Sequence, residues 1–291
     1  MSIGQDKPCP YMLTNAASHH ILLGEMYSTE QNNGKKDHYI ELVGKIVVLM
    51  ETLRDEPAGL SLHELAARTD QVKSSVHRIL NSLKKHGYVE QENAGGAYRL
   101  GLQVLTLARA LNGGVKLIEV ARPYLRELRE TFDESAYLAV RRGESGIFVD
   151  VQETSRDLRL VGPLGADVHY HATAAGKVIA AFLSPEHRHT LLQRHRPAAL
   201  TDNTLTTRAA VEQEWSNVRR VGHAVNDEET IVGAIFLAAA VFDSQRQVCG
   251  SISVGLPKAR YSAELGKKIA GHLKDACQRL TDALVAAGYV H

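Results

Sequence analysis

Cysteine is scarce in this 291-residue chain, which contains only Cys9, Cys249 and Cys277. Three thiols cannot all pair with one another, and no two of them have the C-x-x-C spacing of a zinc or redox motif. The sequence therefore predicts no disulfide framework, and its cysteine usage is typical of a protein kept in a reducing cytoplasm.

Long hydrophobic runs are also absent. No stretch approaches the roughly 18 consecutive apolar residues of a membrane-spanning helix, and the N-terminus lacks a basic segment followed by an apolar stretch and a cleavage site. We expect neither membrane insertion nor secretion, and a cytoplasmic location. The chain also has almost no excess of one charge sign, because 34 Lys and Arg residues balance 33 Asp and Glu residues. Any basic surface must therefore be local.

Composition and periodicity divide the chain into four parts. Residues 1–38 combine prolines with a polar run and show little periodicity, which favours an extended or disordered arm. The remaining length suits two globular domains. We expect a first domain at residues 39–101, a linker helix at 102–115 and a second domain at 116–291.

A helix start signal stands at Ser61. Ser61 and Glu64 fit the S-x-x-E capping box, in which each side chain bonds a backbone N–H left unpaired by the first helical turn. The spacing predicts a short helix from Leu62, an interruption at 69–71 and a second helix from Val72 to His86. The apolar stripe of the second helix comprises Val72, Val76, Ile79, Leu80 and Leu83. An earlier helix at 38–54, with a stripe that begins at Leu42, should pack behind this pair.

The helix from Val72 to His86 carries four cations and no Asp or Glu. Such a face meets phosphates and base edges without repulsion. We expect Ser74, Ser75, His77 and Arg78 to face bases or phosphates, and the lysines and a later arginine to bind phosphates. The complete set of DNA-binding candidates is Lys73, Ser74, Ser75, His77, Arg78, Asn81, Lys84, Lys85 and Arg99.

Two short strands are predicted next, at residues 88–92 and 97–100. The intervening Asn93-Ala94-Gly95-Gly96 contains glycines that permit the positive φ of a tight hairpin. Helix, turn, helix and hairpin in this order are typical of a winged helix-turn-helix. An ordinary helical hairpin with a solvated basic face is the alternative, but the one-sided charge and the hairpin together favour DNA binding.

A further helix is indicated beyond the hairpin, with an apolar stripe of Leu102, Leu105, Leu107, Ala108 and Leu111 and an end at Asn112-Gly113-Gly114. Helices between domains commonly pair with a second chain and set the separation of two DNA half-sites. We therefore expect self-association as a dimer or a tetramer.

From Val115 onwards, helices and strands alternate. Strands at 136–141 and 146–151 are joined across Gly143-Glu144, a link so short that it predicts antiparallel pairing. Further helices are predicted at 115–131, 173–183, 184–195, 207–220 and 262–287, and further strands at 222–226, 231–242 and 248–255. The fold class is thus α+β: a winged helix-turn-helix, a linker helix, and a C-terminal domain of mixed helices and strands around an antiparallel sheet.

The run GLSLHELAARTDQVKSSVHRILNSLKKHGYVEQENAGGAYRLG resembles the DNA-binding domain of the IclR-type bacterial transcription regulators. The segments VARPYLRELRE, YHATAAGKVIAAFLSPE, GHAVNDEE, AAAVFD and GSISVGLP follow in the order expected of that family's effector-binding domain. This resemblance implies a transcription regulator that binds a double-stranded DNA operator and responds to a small-molecule effector. We expect a repressor.

The same resemblance implies which residues hold the effector, by position within the matched motifs. These residues are Ala174, Ala175, Asn226, Phe236, Ser253 and Gly255. Asn226 stands where the family often has a carboxylate, Phe236 where it has Cys or Ser, and Gly255 where it has Ser. A pocket with a phenyl ring and fewer donors favours a larger, less polar effector such as an aromatic acid. A core position for Phe236 is the alternative.

Thr173 and Lys177 flank the same segment. Thr173 is well placed to cap a helix, whose next free N–H groups can bind an anion. Gly176-Lys177 is not part of a phosphate-binding P-loop, because no glycine stands five residues before Gly176.

An enzymatic function is a further alternative. Two groups have the composition of metal ligands: His187, His189 and His195 with Glu186, and His169 with His171. Residues two apart point to different sides of a helix but to one side of a strand, so only the second group is aligned. No H-E-x-x-H pair and no G-x-S-x-G elbow is present. We expect no enzyme, metal or cofactor. The remaining alternative is a ligand-binding protein that acts through protein contacts alone.

Overall fold

The computed structural model describes residues 40–93, 95–109, 114–143, 145–160 and 164–291. These residues form two compact units, one that ends within the 110–113 gap and one that begins there. The predicted arm at 1–38 lies outside the described residues, and so do Leu111, Asn112 and Gly113 near the expected end of the linker helix.

The first unit contains four helices and a hairpin among its described residues. The helices are α1 (Glu41–Arg54), α2 (Leu62–Arg68), α3 (Lys73–Lys85) and α4 (Gln103–Arg109), and the antiparallel hairpin consists of β1 (Val89–Gln91) and β2 (Tyr98–Leu100). The turn between α2 and α3 passes through Asp70, whose φ is +49°. Helix, turn, helix and hairpin follow one another as predicted, and the winged helix-turn-helix is confirmed.

The capping box at the start of α2 is present. The Ser61 hydroxyl accepts from the Glu64 N–H at 3.3 Å, and the Glu64 carboxylate accepts from the Ser61 N–H at 2.8 Å. These bonds to Ser61 hold the pKa of Glu64 below its usual value. The helix therefore begins at the residue that the S-x-x-E spacing predicts.

The core of the first unit is built from α1, α2, α3 and the hairpin, with Leu49, Leu65, Leu80 and Val89 fully buried. The interpretation of Val72 as part of the buried stripe was wrong, because its side chain is 72% exposed. Val72 is the N-cap of α3 and has an extended backbone, so helical spacing does not apply to it. Leu42 in α1 is exposed as well.

The second unit contains helices α5 (Gly114–Phe132), α6 (Ala174–Ala181), α7 (Pro185–Arg194), α8 (Arg208–Val221) and α9 (Ala263–Ala286), and strands β3 (Ser135–Arg142), β4 (Ser145–Gln152), β5 (Ala224–Asp227), β6 (Ala234–Phe242) and β7 (Val248–Pro257). The predicted elements are confirmed, with small shifts at their ends. The largest shift is at β6, where a turn closed by the Ala234 N–H to the Ile231 carbonyl delays the strand.

The five strands form one antiparallel sheet in the order β4-β3-β7-β6-β5. Alternate residues of each strand face opposite sides. Leu138, Leu237 and Val254 pack against α5 and α9, whereas Tyr137 and Ala238 face α6 and α8. The sheet therefore separates two apolar layers, and the α+β class is confirmed.

Helix α9 is capped by the Ser262 hydroxyl, which accepts from the Leu265 N–H at 3.1 Å, and it continues without a break through Gly271. Cys249 and Cys277 are free buried thiols, and burial raises the pKa of each to about 12. Within the described ranges, no helix combines the length and the apolar character that a bilayer crossing requires.

Candidate functional site

One face of α3 is open to solvent, while Val76, Ile79 and Leu80 hold the opposite face in the core. The exposed side chains are Lys73, Ser74, His77, Arg78, Asn81, Lys84 and Lys85, and Ser75 is half-buried. In the described part of the chain, none of the four cations has a carboxylate within ion-pair distance. The structure thus places the predicted residues of this helix on one uncompensated basic face.

Two side chains of this face, and Arg99 in the hairpin, contact neighbouring groups. Asn81 Nδ2 lies 3.2 Å from His77 Nε2 across one helical turn, and Lys84 donates to Gln91 Oε1 in the hairpin at 3.0 Å. Arg99 is engaged within the hairpin, because its Nη2 donates to Glu92 Oε2 at 3.1 Å and its Nε to the Ala58 carbonyl at 2.9 Å. Arg99 keeps further N–H donors beyond these two bonds, while Glu92 partly offsets its charge toward a phosphate.

A second candidate site lies on the α6 side of the sheet. A cavity of about 20 Å³ is lined by Phe148, Thr173, Ala174, Ala175, Asn226, Thr230, Phe236 and Ser253. A space of this size holds about one water molecule. Five of the six predicted effector residues meet here. Gly255 is not in the lining and instead lies against the Phe236 ring.

The N-terminus of α6 forms one wall of this cavity. The Thr173 hydroxyl accepts from the Gly176 N–H at 3.0 Å and donates to the His169 carbonyl at 3.0 Å, which confirms the predicted cap. The first N–H groups of an α-helix have no partner within the helix. Those of Ala174 and Ala175 therefore supply donors and the positive end of the helix dipole at the cavity wall.

Asn226 and Thr230 also line the cavity, and hydrogen bonds fix the Asn226 side chain. Asn226 Oδ1 accepts from the Glu229 N–H at 2.8 Å, and Asn226 Nδ2 donates to the Thr230 hydroxyl at 2.7 Å. The second Nδ2 hydrogen of Asn226 is not used in this pair. Thr230 and Phe148 also line the cavity but were missed, because sequence analysis placed Phe148 only within a strand and assigned no role to Thr230.

A buried charge cluster lies next to Asn226. Lys177 is 1% exposed, and its Nζ donates to the Val225 carbonyl at 2.9 Å and to Glu229, with Glu214 Oε1 at 3.4 Å. Burial raises the pKa of Glu229, and the Lys177 ammonium opposes that shift. Sequence reasoning did not find this cluster, although Lys177 and Glu229 each stand in a quoted motif. The two residues are 52 positions apart and share no local pattern.

The histidines are engaged in separate contacts. His171 Nε2 bonds the Ala198 carbonyl at 2.9 Å, His187 Nδ1 the Ser184 hydroxyl at 2.9 Å, and His189 Nε2 the Gln193 amide at 2.8 Å. Ring centroids of His169 and His171 are 6.0 Å apart. Among the residues that the structure describes, no three His, Cys, Asp or Glu side chains are grouped as metal ligands.

Comparison with known proteins matches both units. Residues 43–93 match the family model described as the IclR helix-turn-helix domain, and residues 110–282 match the bacterial transcriptional regulator IclR C-terminal model. The chain is 34% identical over 240 residues to the HTH-type transcriptional regulator TtgV of Pseudomonas putida, a match that covers 82% of this chain and 90% of TtgV. It is 28% identical to the transcriptional repressor IclR of Escherichia coli, over 73% of this chain and 78% of that protein.

A solved structure shares the fold. An IclR homolog from Microbacterium hydrocarbonoxydans, crystallised in complex with 4-hydroxybenzoate, superposes with a TM-score of 0.69 over 84% of this chain and 99% of that one, at 20% identity. The C-terminal family model alone spans more than half of the 291 residues. With its capped helix pair, hairpin and five-stranded sheet matched in order, this chain belongs to the IclR family of bacterial transcriptional regulators.

Proposed function

We propose that this chain is a repressor that binds a double-stranded DNA operator and whose operator affinity changes when an organic acid, preferably an aromatic one, binds the α6 cavity. Residues 39–101 bind DNA, residues 102–115 connect the domains, and residues 116–291 sense the ligand. The exposed α3 face, with its four cations and no carboxylate, is the observation that carries the proposal.

On the DNA side, α3 enters the major groove. Arg78 and the polar side chains near the start of α3 are placed for base contacts, and Lys73, Lys84 and Lys85 are placed for phosphates. Arg99 reaches a phosphate through the guanidinium donors that Glu92 and the Ala58 carbonyl leave unused. Phosphates fix the register of the protein on the duplex, and base contacts choose the sequence.

On the ligand side, the cavity lining offers backbone N–H and side-chain hydroxyl donors to an acid. The carboxylate of an acid sits at the N-terminus of α6, near the N–H groups of Ala174 and Ala175 and the Ser253 hydroxyl. The ring of an aromatic acid packs on Phe148 and Phe236. The cavity of about 20 Å³ is smaller than such a ring, so binding requires lining side chains such as Phe148 or Phe236 to move. The structural neighbour from Microbacterium hydrocarbonoxydans, crystallised with 4-hydroxybenzoate, supports this choice of ligand class.

The regulatory step is a shift between two arrangements of a dimer or tetramer. Leu102, Leu105 and Leu107 are exposed on or beside α4, an apolar surface that a second chain can cover. An acid bound near Ala174 and Ser253 changes DNA affinity only through different affinities for the two arrangements. No chemical step, metal or cofactor takes part. A DNA-binding role places the protein in the cytoplasm.

Fluorescence anisotropy tests this proposal with DNA from upstream of the protein's own gene and its neighbours. The titration is repeated at two salt concentrations and with a panel of aromatic and aliphatic acids. Operator binding should weaken with salt by a slope of roughly 0.9 per phosphate contacted, and one acid should change the affinity. A protein that acts through protein contacts alone would show no specific DNA binding at either salt concentration. That result would reject the proposal of operator binding.

A further inference from the structure

A groove between α7 and α8 has no part in the proposed function. Its volume is about 300 Å³, with Arg188 and His189 from α7, Glu212, Ser216 and Arg219 from α8, and Trp215 beneath. The groove and the effector cavity are at opposite ends of α6, whose eight residues span about 12 Å. The two spaces are therefore separate.

The two arginines of this groove are fixed in place by one carbonyl group. Ala181, the last residue of α6, accepts from Arg219 Nη1 at 2.9 Å and from Arg188 Nη1 at 3.4 Å. Arg188 also donates to the Leu183 carbonyl, and Arg219 Nη2 donates to the Ser216 hydroxyl at 2.9 Å. The carbonyl groups of the last helical turn lack partners within the helix, which explains the anchoring. Each guanidinium has five N–H donors, so both keep donors for the groove.

The charges in this groove do not balance. Within the described residues, neither guanidinium has a carboxylate within ion-pair distance, and the only carboxylate in the lining is that of Glu212. Burial lowers the pKa of Arg188 and the neighbouring Arg219 lowers it further, while Glu212 opposes this shift. The positive charges of Arg188 and Arg219 are not fully neutralised, which favours a negative ligand. Their hydrogen bonds already hold both guanidinium groups in place, so binding requires little further ordering of the protein.

We propose that this groove binds a small oxyanion group, a carboxylate or a phosphate, bridged by the guanidinium groups of Arg188 and Arg219. Planar guanidinium groups match the oxygen spacing of either group with paired N–H donors. The Glu212 carboxylate repels the anion and so limits the affinity of the groove for it. Effectors of the α6 cavity are not needed for this binding.

Isothermal titration calorimetry on the full chain tests the site, with inorganic phosphate and malonate as separate probes at constant ionic strength. Either probe should saturate at one equivalent per chain, and the tighter one identifies the oxyanion class. Arg219→Gln should weaken binding by roughly tenfold or more, since charge-assisted hydrogen bonds are lost. Glu212→Gln should tighten it several-fold. Arg220→Gln, on the same helix but bonded to Asn217, is the matched control and should leave the affinity unchanged.

Two results would overturn the site. The first is saturable binding that Asn226→Ala abolishes while Arg219→Gln and Glu212→Gln leave it intact, which would place the anion in the effector cavity. The second is the absence of saturable binding of both probes to the parent protein. Because the Glu212→Gln variant removes no bond to α6, its expected gain in affinity cannot arise from misfolding.

Discussion

Phe236 and Gly255 are directly opposed residues of β6 and β7, and a Cβ atom on residue 255 would lie 2.4 Å from Cε1 of Phe236. Such a distance is far below van der Waals contact, so any larger residue at 255 would force the Phe236 ring to shift. The Phe236 ring occupies the space that a side chain at 255 would fill, which links the two departures from the polar pattern that the family resemblance implies at these positions.

Gly255→Ser is expected to destabilise the second unit by about 1–3 kcal/mol, because overpacking forces the Phe236 ring to shift. Adding Phe236→Ser should recover part of this loss, with a coupling of roughly 0.5–3 kcal/mol between the two sites. Urea unfolding followed by fluorescence of Trp215, the only tryptophan in the chain, measures both. Gly271→Ala in α9 is the matched control. A Cβ there meets nothing within 4 Å, and stability should rise by roughly 0.5–1 kcal/mol. Equal midpoints for Gly255→Ser and the parent would contradict the steric argument.

Lys177→Met should cost about 3–5 kcal/mol of stability, because it leaves the buried carboxylate of Glu229 without its cation. The double change Lys177→Met with Glu229→Gln should cost less than Lys177→Met alone, since no unpaired buried charge remains. Urea unfolding with the same tryptophan signal measures the difference. Lys267→Met on the exposed side of α9 serves as the control and should change stability little. A double variant less stable than the single one would show that the buried carboxylate is not the source of the loss.

His171 should make the second unit less stable in acid. Its Nε2 bonds the Ala198 carbonyl, while its Nδ1 is buried with no partner among the described residues, and burial lowers the pKa of the imidazole. The unfolded chain therefore takes up a proton below about pH 6.5 that the folded chain does not. The contribution of His171 is complete above this pH and is lost as the pH falls toward the folded pKa.

His171→Gln tests whether His171 lowers stability in acid. A glutamine Nε2 can still donate to the Ala198 carbonyl but cannot titrate, so its unfolding free energy should fall less steeply between about pH 7 and pH 5. The exposed His187→Gln variant is the control and should follow the parent. Identical slopes for His171→Gln and the parent would exclude His171 as a source of acid sensitivity.

Arg78→Ala should weaken operator binding by about 1–3 kcal/mol and relax specificity at one base pair, if Arg78 contacts a guanine through two hydrogen bonds. Lys84→Ala should instead weaken binding to all sequences equally and reduce the salt slope by roughly 0.9. Anisotropy titrations with the operator and a scrambled duplex separate these outcomes. Lys45→Ala in α1, where Lys45 pairs with Glu41, is the matched control. Equal binding of Arg78→Ala and the parent to the operator would remove Arg78 from the base contacts.

Local signals in the sequence determined the elements of the fold. Ser61 and Thr173 cap helices as the sequence predicted, because a cap involves residues only three apart. Period-two and period-3.6 patterns placed the strands and helices within a few residues, and ordered motifs identified the family. Such features can be predicted from the sequence because the contacts that form them join residues close together in the chain.

Tertiary structure alone decided the chemistry of the sites. The pairing of Lys177 with Glu229 depends on α6 docking against the end of β5, and the fit of Phe236 against Gly255 depends on the register of β6 and β7. Phe148 and Thr230 joined the cavity for the same reason. These contacts link residues far apart in the chain, and their geometry follows from how layers pack rather than from any local spacing. The sequence by itself thus determined the family, the elements and the basic face, while packing decided the size and polarity of the pocket.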